Sequence, residues 1–200
     1  MKKILIAAAV GIFVAGHVAA QESPWLVRAR AVNLQMANDT TGVVNALNVN
    51  VNDKTIPEVD ITYFINKNVA AELVLTVPQS QTVYAGSASL GTFKHLPPTL
   101  TLQYHFTDLG AYKPYVGAGL NYTKISSVDL KNGSTVLQLD SHSYGAALQA
   151  GVDFALDKQW SLNLDVKKVY IKTDVYAAGA SLGTLKLDPV LLGVGVGYRF

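Results

Sequence analysis

The chain has 200 residues, half of them hydrophobic and none of them cysteine, with a formal net charge of only +2. The near-neutral balance and the lack of a nucleic-acid motif exclude nucleic acid as a partner, and the missing cysteines exclude a disulfide-stapled secreted scaffold. Beyond the first twenty residues no segment reaches the roughly 18 consecutive apolar residues that a transmembrane helix needs.

The first element is a leader. Lys2 and Lys3 precede an apolar run from Ile4 to Ala15, and Val18-Ala19-Ala20 puts small residues at the −3 and −1 positions. This pattern predicts a secretory signal peptide over residues 1–20, cleaved after Ala20. The run is too short for a good membrane anchor. The mature chain, residues 21–200, loses both lysines and then carries as many acidic as basic groups. An exported, apolar chain with neither cysteines nor apolar helices points to a closed sheet in a membrane.

Eight segments follow, alternating with period two. The first starts at Trp25 and sets Val27 and Ala29 opposite Arg28 and Arg30. In the second, Val59, Ile61, Tyr63 and Ile65 alternate with Asp60, Thr62, Phe64 and Asn66. In the third, Ala71, Leu73, Leu75 and Val77 alternate with Glu72, Val74 and Thr76. The fourth sets Leu100, Leu102, Tyr104 and Phe106 against Thr101, Gln103 and His105. The fifth pairs Val116, Ala118, Leu120 and Tyr122 with Gly117, Gly119, Asn121 and Thr123. The sixth, Ser143 to Leu156, alternates most regularly, with Gln149 and Asp153 on its polar face. In the seventh, Trp160, Leu162, Leu164 and Val166 oppose Ser161, Asn163, Asp165 and Lys167. The last, Val190 to Phe200, alternates Val190, Leu192, Val194, Val196, Tyr198 and Phe200 with Leu191, Gly193, Gly195, Gly197 and Arg199.

A soluble β-sandwich also alternates, but the connections argue against it. Tight ones fall around Asn66-Lys67-Asn68, Thr107 to Ala111 and Asp157-Lys158-Gln159. Long, polar ones run over 38–57, 78–97, 126–142 and 174–186. Strict short–long alternation over an even strand count predicts an all-β fold, an eight-stranded antiparallel transmembrane β-barrel in a Gram-negative outer membrane. Both termini are then periplasmic and the long loops external. Trp25, Tyr63, Tyr104, Phe106, Tyr112, Phe154, Trp160, Tyr198 and Phe200 fall near one rim, and Tyr122 and Tyr144 near the other. These are expected as two aromatic girdles.

The stretches KHLPPTLTLQYHF, KPYVGAGLNYT, SYGAALQAGVDFAL and KLDPVLLGVGVGYRF, with the WLVRARAVNL start, resemble the OmpW family of small outer-membrane proteins. The resemblance covers the mature chain strand by strand and departs in the long loops, so it carries no loop function over. It implies an eight-stranded barrel with a narrow, partly apolar lumen and passive uptake of small hydrophobic molecules. It also implies a lateral opening beside a proline, and recognition of a terminal aromatic (here Tyr198 and Phe200) by the barrel-assembly machinery.

Sorting inward residues by height gives a charged lower set, Arg28, Arg30, Glu72, His105, Asp153, Asp165 and Arg199, and an apolar upper set, Leu34, Met36, Val74, Val169, Ile171 and Leu191. Buried charges must pair, so the lower set is expected as a polar plug that closes the bore, within a lumen about wide enough for side chains or one small ligand. A greasy solute entering from outside would then leave sideways into the outer-membrane lipids. Pro97 and Pro98 lack N–H donors and are candidates for a lateral exit, although proline is also tolerated at a plain strand start. No nucleophile–base arrangement points to an enzyme: His95 and His142 fall in or beside external loops, and neighbours in a strand, as Ser141 and Ser143 are to His142, face apart. Asp129, Asp140, Asp174 and Asp188 lack calcium-loop spacing, so neither metal nor cofactor is expected. The rival to uptake is a structural or adhesive barrel acting through its external loops. Substrate identity and oligomeric state are not legible.

Overall fold

The computed structural model describes residues 23–200; the expected leader, residues 1–20, lies outside them. In chain order the described residues form β1 (Trp25–Gln35), β2 (Asp39–Thr40), the short helix α1 (Gly42–Ala46), β3 (Val49–Val51), β4 (Lys54–Phe64), β5 (Val69–Leu75), β6 (Gln79–Ala85) and β7 (Ala88–Leu96). Then come β8 (Thr99–His105), β9 (Tyr112–Asn132), β10 (Thr135–Leu139), β11 (His142–Ala155), β12 (Trp160–Val169), β13 (Lys172–Ala177), β14 (Ala180–Lys186) and β15 (Val190–Arg199).

Eight of these strands close a barrel in the order β1–β4–β5–β8–β9–β11–β12–β15, antiparallel throughout. β15 returns to β1 in continuous register from Leu26–Arg199 to Gln35–Val190. Closure leaves no open edge, which a bilayer demands because lipid offers no partner to a bare N–H or C=O. Period-two alternation then assigns each residue to one side of the wall. Leu100, Leu102, Leu120, Leu148, Leu164 and Val194 stand exposed on the outside, while Arg28, Asp60, Glu72 and Asn163 are buried inside. A soluble sandwich would have these faces the other way round; this arrangement is that of a wall in lipid.

At the end that carries both termini the connections are tight. Asn66 Oδ1 accepts from the backbone N–H groups of Asn68 and Val69 at 2.9 and 2.8 Å. Asp157 Oδ1 accepts from those of Gln159 and Trp160, both at 2.7 Å. These carboxyl and amide caps mimic a backbone turn and hold short loops closed. Around the same rim the aromatics meet edge-to-face: Trp25 with Tyr63, Tyr104 with Phe106, Tyr112 with Phe154, and Tyr198 with both Trp160 and Phe200, at centroid separations of 4.8 to 5.1 Å. At the opposite level Tyr122 packs on Tyr144 and His142.

The far half differs from the solvated loops that composition predicts. The long connections fold into hairpins, turned at Gly86, Gly133 and Gly179, each at positive φ. They continue the same sheet above the barrel, in the order β3–β6–β7–β9–β10–β13–β14–β2, with α1 between the two ends of this series. Strand β9, 21 residues long, runs unbroken through both halves. Here the alternation is inverted. Val83, Leu90, Phe93, Ile125, Leu130, Leu137, Val175 and Leu185 point inward and are buried, with Thr, Ser, Lys and Asp outside. The polar residues that make these segments look like loops are the outward face of strands that stand in water.

Candidate functional site

The lower lumen is a continuous polar network. Arg28 Nε and Nη2 donate to Asp153 Oδ1 and Oδ2 at 3.0 and 2.6 Å. Its Nη1 reaches Asp60 Oδ1, Thr62 Oγ1 and Glu72 Oε2 at 3.1, 2.9 and 3.1 Å. Arg30 donates to Asn163 Oδ1 and Glu58 Oε1 at 2.7 and 2.9 Å, and its Nη2 lies 2.9 Å from Asp60 Oδ2. Lys167 Nζ donates to Glu58 Oε1 at 3.2 Å. Asp165 Oδ2 accepts from Tyr115 Oη and Gln149 Nε2, at 2.7 and 2.8 Å. Five carboxyl groups thus face three cations, and neutral donors complete their coordination. Such a network tolerates burial only because nearly every lone pair and proton has a partner.

Every barrel strand but β15 supplies a side chain to this network or its margin. β15 supplies Gly193, Gly195 and Gly197, which stand opposite Val32, Arg30 and Arg28 in the register. A Cβ on Gly193 would sit 3.3 Å from Arg30 Cδ, and one on Gly197 3.4 Å from Arg28 Cγ. The bare wall is what gives the two arginines room.

Of the expected plug residues, Arg28, Arg30, Glu72, Asp153 and Asp165 meet in the network. His105 lies at its lower margin, with Nε2 2.9 Å from Gln103 Oε1 and its ring stacked on Tyr115. Arg199 lies lower still: its Nε donates to Ser23 O, and its guanidinium covers the ring of Phe64 at 4.3 Å. Phe64 packs on His105, His105 on Tyr115, and Arg28 lies 5.1 Å from the Tyr115 centroid. A column of three rings in contact, with an arginine at each end, therefore links the mouth to the plug. Glu58, Asp60, Tyr115, Gln149, Asn163 and Lys167 are essential members that the sorting by height left out. Each lies on the inward phase of its own strand, so the alternation could have found them.

Above the network Leu34, Met36, Val169, Ile171 and Leu191 join one buried apolar cluster, and Val74 is buried beside it. The lumen here is filled by its own side chains. A cavity of about 20 Å³ remains among Leu34, Ile56, Val74, Thr76, His95 and Pro97, room for one water-sized group.

Pro97 and Pro98 interrupt the fourth wall strand instead of beginning it, because β7 continues above them. Pairing of β5 with β8 ends at Val74–Thr99, and pairing of β6 with β7 starts at Gln79–His95. Among the described residues no backbone hydrogen bond joins 76–78 to 96–98. On their other flank the prolines are held: Tyr122 N–H donates to Pro98 O, and Asn121 Nδ2 to both proline carbonyls.

Two expectations about the histidines change. His95 is buried on β7 and not in a loop. Ser141 does meet His142, Oγ to Nδ1 at 2.8 Å, because Ser141 sits on a bend before β11, where strand alternation does not hold. Among the described residues no three His, Asp or Glu side chains gather as a metal site would require.

Known proteins resemble this chain along its length. It is 45% identical over 192 residues to the uncharacterized outer-membrane protein y4mB of Sinorhizobium fredii, covering 92% of this chain and 82% of that one. It is 28% identical to the dibenzothiophene metabolism operon protein PahQ of Pseudomonas aeruginosa, over 90% of each. The crystal structure of the outer membrane protein OprG from Pseudomonas aeruginosa superposes with a TM-score of 0.76 at 23% identity, over 90% of this chain and 97% of that one, and so shares the fold. A match to the OmpW family runs over residues 21–200, and with the inside-out, closed wall described above it establishes that the chain belongs to the OmpW family.

Proposed function

We propose that this barrel takes up small hydrophobic molecules from outside the cell and releases them sideways into the outer membrane, with both termini in the periplasm and no catalysis of its own. The observation that carries this reading is the placing of an unpaired seam beside an apolar lumen and above a sealed plug. A solute moving straight down the bore would have to separate buried ion pairs, each costing about 3–5 kcal/mol when one partner is lost. A solute moving sideways at residues 76–78 and 96–98 breaks no ladder bond among the described residues. Thr76 and Pro97 line the lumen cavity, and Val77 is exposed on the lipid side, so the seam connects the two. The name of the relative PahQ supports the direction, since dibenzothiophene is an apolar fused-ring molecule.

The test is uptake by cells whose outer membrane otherwise excludes such solutes, comparing a hydrophobic probe with a hydrophilic one of equal size. The expected result is entry of the hydrophobic probe alone, slowed severalfold when Pro97 and Pro98 are both replaced by alanine, which restores one ladder donor toward β9 at position 98 and one toward residues 76–78 at position 97. Unchanged uptake by a folded double variant removes the lateral route. A barrel that admits neither probe yet binds a partner through its external hairpins would be adhesive instead.

A further inference from the structure

Lys172 and Lys186 stand directly opposite each other where β13 pairs with β14, and both are exposed on the outer face. Like charges so placed repel, and among the described residues no ion pair engages either of them. The nearby acids are turned to other donors. Asp174 Oδ1 accepts from Thr184 Oγ1 at 2.6 Å, Asp140 Oδ2 from the Asp174 N–H at 3.4 Å, and Asp188 Oδ1 from the Ile171 N–H at 2.8 Å. Two residues before Lys172, Tyr170 is exposed, and Lys168 lies over its ring and donates to Asp188 O. A lysine that carries its amine along the wall to a polar carbonyl marks the edge of the hydrocarbon. The Lys172 N–H donates to Ser143 Oγ, next to the exposed Tyr144 of the far rim. The lysine pair therefore stands at the level of the lipid headgroups.

Lower on the same wall lies a shallow groove of about 450 Å³ across β11, β12 and β15. Its small residues, Ala150, Gly151 and Gly193, leave the hollow, and Val152, Leu164, Val166 and Leu192 border it. Asp165 also borders it, with its carboxyl turned into the plug. Six residues of extended chain, about 20 Å, separate Val166 from Lys172. At a strand tilt of about 40° this is a drop of about 15 Å, the hydrocarbon depth of one leaflet. An acyl chain whose head lies at the lysines thus ends in the groove. The head must be an anion. Two opposed ammonium groups match a phosphate monoester, which carries close to two negative charges, better than the single charge of a phospholipid diester. With the far end external, as the uptake reading has it, we infer that Lys172 and Lys186 hold a phosphate monoester of a phosphorylated glycolipid of the outer leaflet, one of whose acyl chains lies in the groove.

The test is native mass spectrometry of the purified barrel in detergent, with three lipids offered in turn: lipid A bearing its phosphate monoesters, the same lipid dephosphorylated, and phosphatidylglycerol. The native barrel retains the phosphorylated glycolipid roughly tenfold or more better than either of the others, the worth of two lysines at an anionic headgroup. Replacing both lysines, Lys172→Gln with Lys186→Gln, abolishes the preference, whereas Lys67→Gln at the opposite rim keeps it. Equal retention of the three lipids by the native barrel, or a preference unmoved in the double variant, overturns the inference. If the double variant does not fold, the native comparison decides the question. Retention in detergent does not depend on uptake, so either reading can fail without the other. Their shared orientation is tested on intact cells, where an impermeant amine reagent labels Lys131 in the far hairpin and not Lys67. The reverse labelling overturns both.

Discussion

Arg28 and Asp153 grip each other across the bore in a two-pronged pair, with contacts of 3.0 and 2.6 Å. They stand on β1 and β11, strands with β15 and β12 between them, so the pair ties opposite walls together. Replacing Arg28 by Met would leave Asp60, Glu72 and Asp153 buried without their shared cation. The expected loss is about 3–5 kcal/mol of folding stability, read from urea unfolding in lipid vesicles. The double change Arg28→Met with Asp153→Leu recovers part of it. A single variant as stable as the native barrel would show that the network is not what holds the bore.

The closing seam makes a ranked prediction. A Cβ on Gly195 would lie 2.1 Å from the backbone oxygen of Ala29, which cannot move without opening the β1–β15 ladder. On Gly197 the tightest contact is Ser161 Oγ at 2.6 Å, a side chain that can rotate away. Gly195→Ala therefore costs about 1–3 kcal/mol, and Gly197→Ala less. The same vesicle unfolding assay checks the order, and a reversed order contradicts it.

Asp157 gives a pH signature outside the membrane. The backbone N–H groups of Trp160 and Gln159 favour its charged form and hold its carboxyl below the usual range. A lowered value means the stabilisation is full above the unfolded-state pKa, about 3.9, and fades as pH falls through the folded one. Hydrogen-exchange protection of the Gln159 and Trp160 amides should drop over that acidic window in the native chain. In Asp157→Ala it should be low and flat. Parallel profiles in the two proteins would exclude the cap.

The proposed assembly role of the terminal aromatics separates from their packing. Tyr198 meets Phe200 edge-to-face, and Phe200 N–H donates to Trp25 O. Deleting Phe200 should reduce the barrel found in the outer membrane of cells severalfold while leaving most of its spontaneous refolding into vesicles. Equal losses in both would assign Phe200 to packing alone.

How much of this was legible in advance varied by feature. Arg28, Glu72, Asp153 and Asp165 could be placed in the lumen because an extended chain sends alternate residues to opposite sides. Arg199 obeys the same alternation, yet it binds Ser23 O at the mouth instead of joining the plug. Glu58 and Lys167 escaped notice although they bond to each other, since each is read on a different strand, 109 residues apart. The hairpins of the far half were hidden by their own polar faces, which resemble loops when composition is read without partners.

The amino-acid order alone determined the eight strands of the barrel wall, the side on which their residues stand and the aromatic rim, because these follow from the two-residue repeat of an extended chain and from which groups lipid accepts. Only the tertiary structure decided which charges meet, where the ladder between neighbouring strands is interrupted and where the apolar face turns from outside to inside. Those depend on the register and tilt of eight strands around a closed wall, which set height and azimuth, and a period of two carries neither.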